Sequence, residues 1–392
     1  MANNYNSDNT YDIVCPYCLR RFQTFRAMFA DYKNFTQEVY PQYAEYLKHY
    51  MNIESIAGRR MPVLFQKHGN DGLDAFSALT ESGDVTYDRA CPECCNMLPA
   101  AAGRVKQFTV TVIGADDAQR SYYIASVLHR LNRDLQADFG ASFIPADFKT
   151  AQTFREQYEE PLYLDKTVPE AMGTVTPLVW EYCKNGAAEP EEWKGSEVRY
   201  NRALIYIYNL DKDLCDRYPF IAQTAIAHSD AFVFISDVSE MAGNDDPAYE
   251  PWLGFLTETF RRLFGASAAS VPTAAVLCRA DKTAFRDRKW QQYVMECVSK
   301  KSEKNFPTPF FTKLSTKIKE TVSAELPAYS SAIRTLFEPE STMFFAARTF
   351  FDLHDDGTAD IFDCGEVETS FLWLLSKLNI INNDTVKSFA LK

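Results

Sequence analysis

The stretch that decides the fold runs from Phe108 to Ser121 and reads FTVTVIGADDAQRS. An apolar strand, Phe108–Ile113, leads into Gly114, and a helical pattern follows from Ser121 to Leu135. A glycine between a buried strand and a helix is the frame of a phosphate-binding loop, in which backbone amides at the helix start face the phosphate. The stretch therefore predicts an α/β domain, and it raises the question whether this loop can still hold a phosphate.

The composition bounds the class of protein. The chain has 392 residues, of which 46% are hydrophobic, so two or three domains with a sizeable core are expected. A net charge of −12 disfavours a broad nucleic-acid-binding surface, so we do not expect nucleic acid as a partner. No apolar run reaches the roughly 18 residues of a membrane helix, and the polar N-terminus lacks the parts of a signal peptide. We expect a cytoplasmic protein without a membrane partner.

Two pairs of cysteines share the form C-P-x-C: Cys15 with Cys18, and Cys91 with Cys94. Two such turns can supply the four thiolates of a tetrahedral, structural zinc site, which leaves no open position for catalysis. Free cytosolic cysteines or a redox pair are the alternatives, but a redox pair would normally stand alone at a helix start. Cys95 follows directly and is a possible substitute ligand.

The two cysteine pairs are unusually far apart. Residues 19–90 separate them, whereas a zinc ribbon usually has an interval of about 15–20 residues. The interval must therefore form a structured insertion within a zinc-binding domain spanning 10–103. Aromatic and aliphatic residues from Phe25 to Met51 recur at helical spacing, which predicts helices, divided or kinked at Pro41.

Strands and helices alternate in the remaining part, residues 104–392, which we expect to be one α/β domain. The predicted strands are mostly continuous apolar runs, as in a sheet covered on both faces, and the alternation predicts a doubly wound, mostly parallel sheet. The predicted strands are Phe108–Ile113, Ala203–Tyr208, Ala231–Ser236, Thr273–Leu277 and Met343–Ala346. The predicted helices include Ser121–Leu135, Phe220–His228, Tyr249–Phe264, Arg286–Lys300 and Thr369–Leu378.

The loop after the first strand departs from a working phosphate loop, GxxxxGK[ST]. Gly114 and Ser121 fit this pattern, but Gln119 replaces the second glycine and Arg120 replaces the lysine. Glutamine resists the positive φ that such a loop can require, and the arginine fork fits a narrow loop poorly. Asp116 and its neighbour add negative charge close to where phosphates would lie, which argues against tight triphosphate binding.

Two later strand ends also carry altered nucleotide motifs. Asn209 stands where an aspartate would act through a magnesium water. The segment Cys278-Arg-Ala-Asp281 keeps the aspartate of a guanine-binding motif, but Asp281 could equally cap a following helix. Ala347 follows directly after the last predicted strand, Met343–Ala346.

These features resemble the TRAFAC-class P-loop GTPases, and more closely the bacterial "double-GTPase" proteins. The resemblance rests on the two C-P-x-C pairs, the run AHSDAFVFISD from Ala227, "VLCRADK", "MFFAARTF" and "GEVETSFLWLL" from Gly365 to Leu375. It implies a P-loop GTPase-like sheet behind an N-terminal split zinc ribbon. It also implies a place in bacterial multi-protein systems of defence or conflict, with other proteins of the same system as partners.

The altered loop and the intact frame predict a pseudo-GTPase that acts by binding proteins and does not act as an enzyme. If a nucleotide site is retained, its residues are Gly114, Arg120, Ser121, Asp281 and Ala347. The alternative is a divergent, active GTPase that binds GTP or GDP with Mg²⁺ and hydrolyses GTP, with Arg120 and Ser121 still holding phosphate and metal. A nucleic-acid-binding zinc ribbon is a third, less favoured, hypothesis.

Overall fold

The computed structural model describes residues 10–51, 60–67, 73–114, 116–169, 176–185, 191–192, 198–211, 215–216, 219–241, 251–264, 269–299, 308–354, 359–361 and 367–381. The strands are β1 Ile13–Val14, β2 Arg21–Phe22, β3 Met28–Thr36, β4 Met61–Phe65, β5 Ala78–Leu79, β6 Val85–Thr86, β7 Arg89–Ala90, β8 Lys106–Gly114, β9 Ala141–Pro145, β10 Leu178–Lys184, β11 Glu191–Glu192, β12 Val198–Arg199, β13 Arg202–Asn209, β14 Ala231–Asp237, β15 Thr273–Cys278, β16 Thr342–Ala346, β17 Phe351–Leu353 and β18 Ala359–Ile361. The α-helices are α1 Pro41–Met51, α2 Asp117–Phe139, α3 Phe148–Phe154, α4 Pro219–Ala227, α5 Val238–Met241, α6 Pro251–Phe264, α7 Trp290–Ser299, α8 Thr308–Glu325, α9 Pro327–Leu336 and α10 Val367–Lys377.

A seven-stranded sheet organises the described part of the chain, in the order β16-β15-β14-β8-β13-β10-β9. Strands β16, β15, β14, β8 and β13 run parallel to one another, while β10 is antiparallel to both of its neighbours. This is the doubly wound, mostly parallel α/β sheet that the sequence predicts. The five predicted strands are all confirmed. The five predicted helices are found with shifted ends, and the predicted helical positions Tyr249, Glu250 and Lys300 lie outside the described residues.

The strand order places a ligand-binding edge at β8. The chain passes from β8 to β13 on one side and then returns to β14 on the other side. In open α/β sheets, ligands bind at the carboxyl ends of the strands where the order reverses in this way. The end of β8 at Gly114, between the ends of β13 and β14, is therefore the expected ligand-binding position.

Alternate residues of the central strands pack on opposite faces of the sheet. On β13, Tyr206 and Tyr208 belong to a buried cluster that includes the four predicted zinc ligands. Ile205 and Ile207 belong to a second cluster with residues of α2 and α10. The cysteine-containing region thus packs on the same face of the sheet as helices α4 and α6–α9. Helices α2 and α10 pack on the other face.

The insertion is less helical than its aromatic spacing indicated. Helix α1 confirms the helical prediction after Pro41, but Met28–Thr36 is a strand, so that part of the prediction is wrong. This strand pairs with β4 and β7, with a register shift between Asp31 and Phe35. Asp31 accepts hydrogen bonds from the Lys33 amide and the Asn34 side chain at this irregularity. Cross-strand pairing, which sequence spacing does not show, decides the conformation here.

Helix α2 has well-formed ends. Asp116 caps its start, since Asp116 Oδ1 accepts the Gln119 N–H at 2.7 Å. Gly140 ends it in the left-handed conformation, with φ of 62°, and donates its N–H to Gln136. Across the described residues, the helices are all too short or too polar to cross a bilayer.

Candidate functional site

Two matching turns bring the predicted zinc ligands together. The Leu19 N–H donates to the Cys15 carbonyl at 2.9 Å, and the Cys95 N–H donates to the Cys91 carbonyl at 2.9 Å. Leu19 and Cys95 both adopt the left-handed conformation, with φ of 57° and 58°. The repeated C-P-x-C sequence therefore folds twice into the same turn.

The sulfur positions suit a tetrahedral metal ion. The Sγ atoms of Cys15, Cys18, Cys91 and Cys94 all lie within 4.8 Å of one another, and all four residues are buried. The Cys15–Cys94 and Cys18–Cys91 sulfurs are each 3.7 Å apart. Four thiolates with metal–sulfur bonds of about 2.3 Å would have sulfur–sulfur distances of about 3.8 Å. The residues present thus fit a metal ion such as zinc.

Neighbouring N–H groups donate to three of these sulfurs. The Tyr17 amide lies 3.4 Å from Cys15 Sγ, and the Glu93 amide lies 3.4 Å from Cys91 Sγ. The Asn96 side-chain amide lies 3.2 Å from Cys94 Sγ. Such donors orient thiolate ligands and stabilise their negative charge, as expected around a structural metal site.

Cys95, the possible substitute ligand, is placed elsewhere. It lies outside the four-cysteine cluster and packs with Ala30, Leu64 and Ala90 in a small apolar core of its own. Burial raises the pKa of its thiol to about 11, and the nearby Cys94 acts in the same direction. The four cysteines of the two C-P-x-C pairs are the ones that the fold brings together.

The cysteine cluster is fixed directly to the central sheet. The Tyr208 hydroxyl of β13 donates to the Pro16 carbonyl at 2.6 Å, inside the first cysteine turn. Gln107 of β8 accepts hydrogen bonds from the Val14 N–H and the Tyr206 hydroxyl, each at 2.9 Å. Loss of the cysteine cluster would therefore uncover the part of this face that β8 and β13 form.

At the end of β8, Gly114 is required by its surroundings. Its φ is +92°, and a Cβ there would lie 2.1 Å from the Ile235 carbonyl oxygen of β14. Any other residue would be strained in conformation and would also clash with backbone. The glycine identified from sequence thus allows two strands to approach closely at the edge.

Arg120 occupies the space at this edge with its own side chain. Its guanidinium is buried, being 1% exposed, and donates to the Gly114 carbonyl at 2.8 Å and to Asn209 Oδ1 at 3.1 Å. It also forms an ion pair with Asp117. The guanidinium joins the ends of β8 and β13 to the first turn of α2.

Two of the amides that would face a phosphate are bonded within the chain. The Gln119 N–H donates to Asp116 Oδ1, and the Arg120 N–H donates to the Asp116 carbonyl at 3.1 Å. An aspartate side chain thus already interacts with the positive end of the helix dipole. These two donors are committed to the helix cap and to the helix itself.

Gln119 extends this internal network to β14 and β15. Its Nε2 donates to Asp237 Oδ2 at 2.9 Å, and its Oε1 accepts from the Cys278 thiol. Asp237 also pairs with Arg279 Nη1 at 3.0 Å and accepts from the Ser239 amide and hydroxyl. The buried Asp237 carboxylate therefore has charged and neutral partners from three sides.

Ser121, the predicted magnesium ligand, is fully buried on α2. Its hydroxyl has no hydrogen-bond partner among the residues that the structure describes. A buried hydroxyl without a partner is costly, so this atom could accept or donate a further bond at the start of α2.

Asp281 and Ala347 lie together at the far strand ends. Asp281 Oδ1 accepts the Thr349 amide at 2.6 Å and the Thr349 hydroxyl at 3.0 Å, so it joins the loops after β15 and β16. It lies within a short 3₁₀ turn, Ala280–Lys282, and does not cap a helix, so the helix-cap alternative is wrong. The Ala347 N–H donates to the Leu277 carbonyl at 2.8 Å.

Sequence reasoning missed how these side chains bond to one another. It noted that Arg120 and Gln119 suit a phosphate loop poorly, but it did not assign Asn209 or Asp237 as their partners. One signal was available: Asp117 and Arg120 lie three residues apart at a helix start, a spacing that favours an ion pair. The contacts to Asn209 and Asp237 join residues about ninety or more positions apart, which local spacing cannot show.

Fold and site define a doubly wound α/β protein with a buried four-cysteine cluster on one face of its sheet. No family model matches the chain, and no curated protein matches it. Among solved structures, the chain is similar to the S. cerevisiae Ski7 GTPase-like domain bound to GTP, at 12% identity and a TM-score of 0.28. The match covers 62% of this chain and 42% of that chain.

Proposed function

We propose that this chain is a pseudo-GTPase with a structural zinc site, which acts by binding other proteins and does not hydrolyse GTP. The observation that carries the proposal is the buried Arg120 guanidinium, which bonds to Gly114, Asn209 and Asp117 at the sheet edge. A phosphate there would have to displace these bonds and lie beside two aspartates. Each aspartate at about 5 Å would cost on the order of 3 kcal/mol per phosphate charge before screening.

Zinc is proposed as the metal because four thiolates at tetrahedral spacing are its usual structural ligand set. With four protein ligands, the ion has no open position for a substrate, so its role is to hold the two turns together. Those turns in turn fix the insertion and the β8–β13 face of the sheet.

An exposed apolar patch on the insertion is the proposed docking surface, here called the insertion patch. It comprises Tyr32 and Phe35 of β3 together with Leu79, Val85 and Tyr87 around β5 and β6. Their exposed fractions run from 44% to 65%, and Tyr32 contacts Phe35 edge to face. Aromatic residues grouped on a surface are typical of protein interfaces. The partner we propose is another protein of the same bacterial multi-protein system, as the family resemblance implies.

We expect isothermal titration of the purified, zinc-loaded chain with GTP or GDP and Mg²⁺ to show no binding tighter than about 1 mM. The reason is that Arg120 and Asp116 already occupy the phosphate position. Magnesium-dependent binding in the micromolar range would overturn the pseudo-GTPase proposal, provided that the variants Arg120→Ala and Ser121→Ala abolish it.

The docking proposal predicts that Val85→Ser/Tyr87→Ser loses the proteins that co-purify with the tagged wild-type chain from its native cells. Phe148→Ser is the matched control, since Phe148 is 82% exposed but lies on α3, outside the insertion patch. Zinc content should be unchanged in both variants. Retention of the same partners by the double variant would remove the insertion patch as the docking surface.

One observation favours the second candidate, a divergent GTP-binding enzyme. The buried Ser121 hydroxyl has no partner among the described residues, and a bound magnesium ion would satisfy it. We rank this candidate second because the Arg120 guanidinium is bonded to Gly114, Asn209 and Asp117 at the same sheet edge.

A further inference from the structure

The two cysteine turns are alike in their backbone but differ at one side chain. The Cys15 N–H donates to the Arg20 carbonyl at 3.0 Å, and the Cys91 N–H donates to the Asn96 carbonyl at 2.9 Å. Arg20 and Asn96 therefore hold the same position, two residues after the second cysteine of each pair. The Asn96 side chain donates to Cys94 Sγ at 3.2 Å, whereas the Arg20 side chain is exposed.

This difference leaves the four sulfurs with unequal hydrogen bonding. Backbone N–H groups donate to the Sγ atoms of Cys15 and Cys91, each at 3.4 Å. The Asn96 amide donates to the Sγ atom of Cys94. Among the residues that the structure describes, no N–H group donates to Cys18 Sγ, which lies 3.7 Å from Cys91 Sγ. Cys18 is thus the ligand whose negative charge the protein stabilises least.

Cys18 is also the most accessible of the four ligands. It is 7% exposed, whereas Cys94 is 3% exposed and the other two are fully buried. Hydrogen peroxide is only a little larger than water, and it oxidises thiolates according to their exposure and nucleophilicity. N–H donors that stabilise a thiolate also make it less nucleophilic. Both properties therefore favour Cys18 as the sulfur that peroxide attacks first.

We propose that Cys18 is the site at which peroxide oxidises the four-cysteine cluster, with Cys91 as the resolving cysteine. The Cys18 thiolate attacks one peroxide oxygen, the O–O bond breaks, and hydroxide leaves with its electron pair, which gives a sulfenic acid. The Cys91 thiolate, 3.7 Å away, then attacks the Cys18 sulfur and displaces a second hydroxide. Two thiolates thus lose two electrons in forming one disulfide, and one peroxide is reduced to two hydroxide ions.

The alternative disulfide, between Cys15 and Cys94, is disfavoured by the same observations. Those sulfurs are also 3.7 Å apart, but each accepts an N–H donor and neither is as exposed as Cys18. A Cys18–Cys91 disulfide removes two of the four ligands and joins the two turns directly, which releases the metal ion. The inference rests on the proposed zinc site and makes the release of zinc dependent on peroxide.

The test exposes the zinc-loaded full chain to a limiting amount of hydrogen peroxide in the presence of dimedone, which labels sulfenic acids. Mass spectrometry identifies the labelled cysteines, and a chromophoric chelator measures the zinc released. We expect Cys18 to be labelled about three- to tenfold faster than the other three ligands, which is the effect of one hydrogen bond on the nucleophilicity of a thiolate. Without dimedone, a Cys18–Cys91 disulfide should form as zinc is released.

Substitutions at the matching position of the two turns test the physical cause. Arg20→Asn gives Cys18 the amide that Asn96 gives Cys94, and it should slow the labelling of Cys18 by about three- to tenfold. Arg20→Ala is the matched control, since it removes the arginine without adding a donor, and it should leave the rate of labelling unchanged. Asn96→Ala removes the donor from Cys94 and should speed the labelling of that residue.

Zinc content and unfolding midpoints close to those of the wild type show that the variants are folded. Three results would overturn this inference and leave the zinc proposal standing: equal labelling of all four ligands, faster labelling of a ligand other than Cys18, or equal rates in Arg20→Asn and Arg20→Ala. A chain that purifies without zinc would overturn both.

Discussion

Cys94→Ala will abolish zinc binding, whereas Cys95→Ala, one residue further on, will keep it. Cys94 contributes a sulfur to the four-cysteine cluster, and Cys95 packs into a separate apolar core. Elemental analysis of the wild type and of Cys95→Ala should give about one zinc ion per chain, as for a Cys₄ site. Cys94→Ala should purify with almost none.

The two variants should also differ strongly in stability, with Cys94→Ala losing far more than Cys95→Ala. A structural zinc ion contributes an apparent 10–16 kcal/mol of folding free energy, or about the whole stability of a domain. Loss of one of four ligands should therefore unfold the cysteine turns and uncover the β13 face that Tyr208 anchors to Pro16. Cys95→Ala removes one buried sulfur and should cost about 1 kcal/mol.

Thermal unfolding with and without a chelator measures this difference. Chelation should bring the wild type down to the midpoint of Cys94→Ala and leave that variant unchanged. Equal zinc content in the two variants would show that the metal site is not the one that the sulfur positions define, and would remove the proposed role of the two turns.

Much of the α/β sheet was predictable because its parallel strands are buried on both faces. Such strands are continuous apolar runs, like Ala231–Ser236, and they can be found without knowledge of their partners. Strands β9 and β10 were missed because they are mixed in polarity; β10 includes Glu181, Cys183 and Lys184. Strand β9 also lies at the edge of the sheet, where it is partly exposed, which weakens the apolar signal further.

The candidate site was predictable in its components but not in its contacts. The C-P-x-C pairs predicted the four-cysteine cluster because each pair is a local turn with a fixed geometry. Strand β3 was misjudged because Phe29, Tyr32 and Phe35 fit a helical spacing, and only pairing with β4 and β7 excludes it. Likewise, Arg120 is held at the loop by a hydrogen bond to Asn209, which lies on another strand, β13.

Arg120→Ala will be strongly destabilising although it removes a charge from a nucleotide-like loop. The guanidinium is 1% exposed and bonds to the Gly114 carbonyl and Asn209 Oδ1, both buried groups. Without the guanidinium, the Gly114 carbonyl and Asn209 Oδ1 each lose a hydrogen-bond partner, which costs about 1–3 kcal/mol of stability per group. A cavity also remains at the end of β8. We expect a loss of about 3–5 kcal/mol in the free energy of unfolding, as for breaking a buried charged network.

Two further variants give this prediction its controls. Arg155→Ala removes an arginine that is 71% exposed and pairs with Glu160, so it should cost at most about 1 kcal/mol. Arg120→Lys keeps the charge but lacks the planar guanidinium that bonds to three partners at once. Its loss in free energy of unfolding should therefore lie between the losses of Arg120→Ala and Arg155→Ala. Urea denaturation of the zinc-loaded proteins gives all three values.

The alternative view of Arg120 predicts the opposite result. If the guanidinium were poised to hold a phosphate, it would be held loosely in the absence of ligand, and Arg120→Ala would cost no more than Arg155→Ala. It would then lower GTP affinity and leave stability intact. A large loss of stability with no change in GTP binding is the pattern expected of a side chain that has replaced the phosphate, because its bonds to Gly114 and Asn209 serve the fold alone.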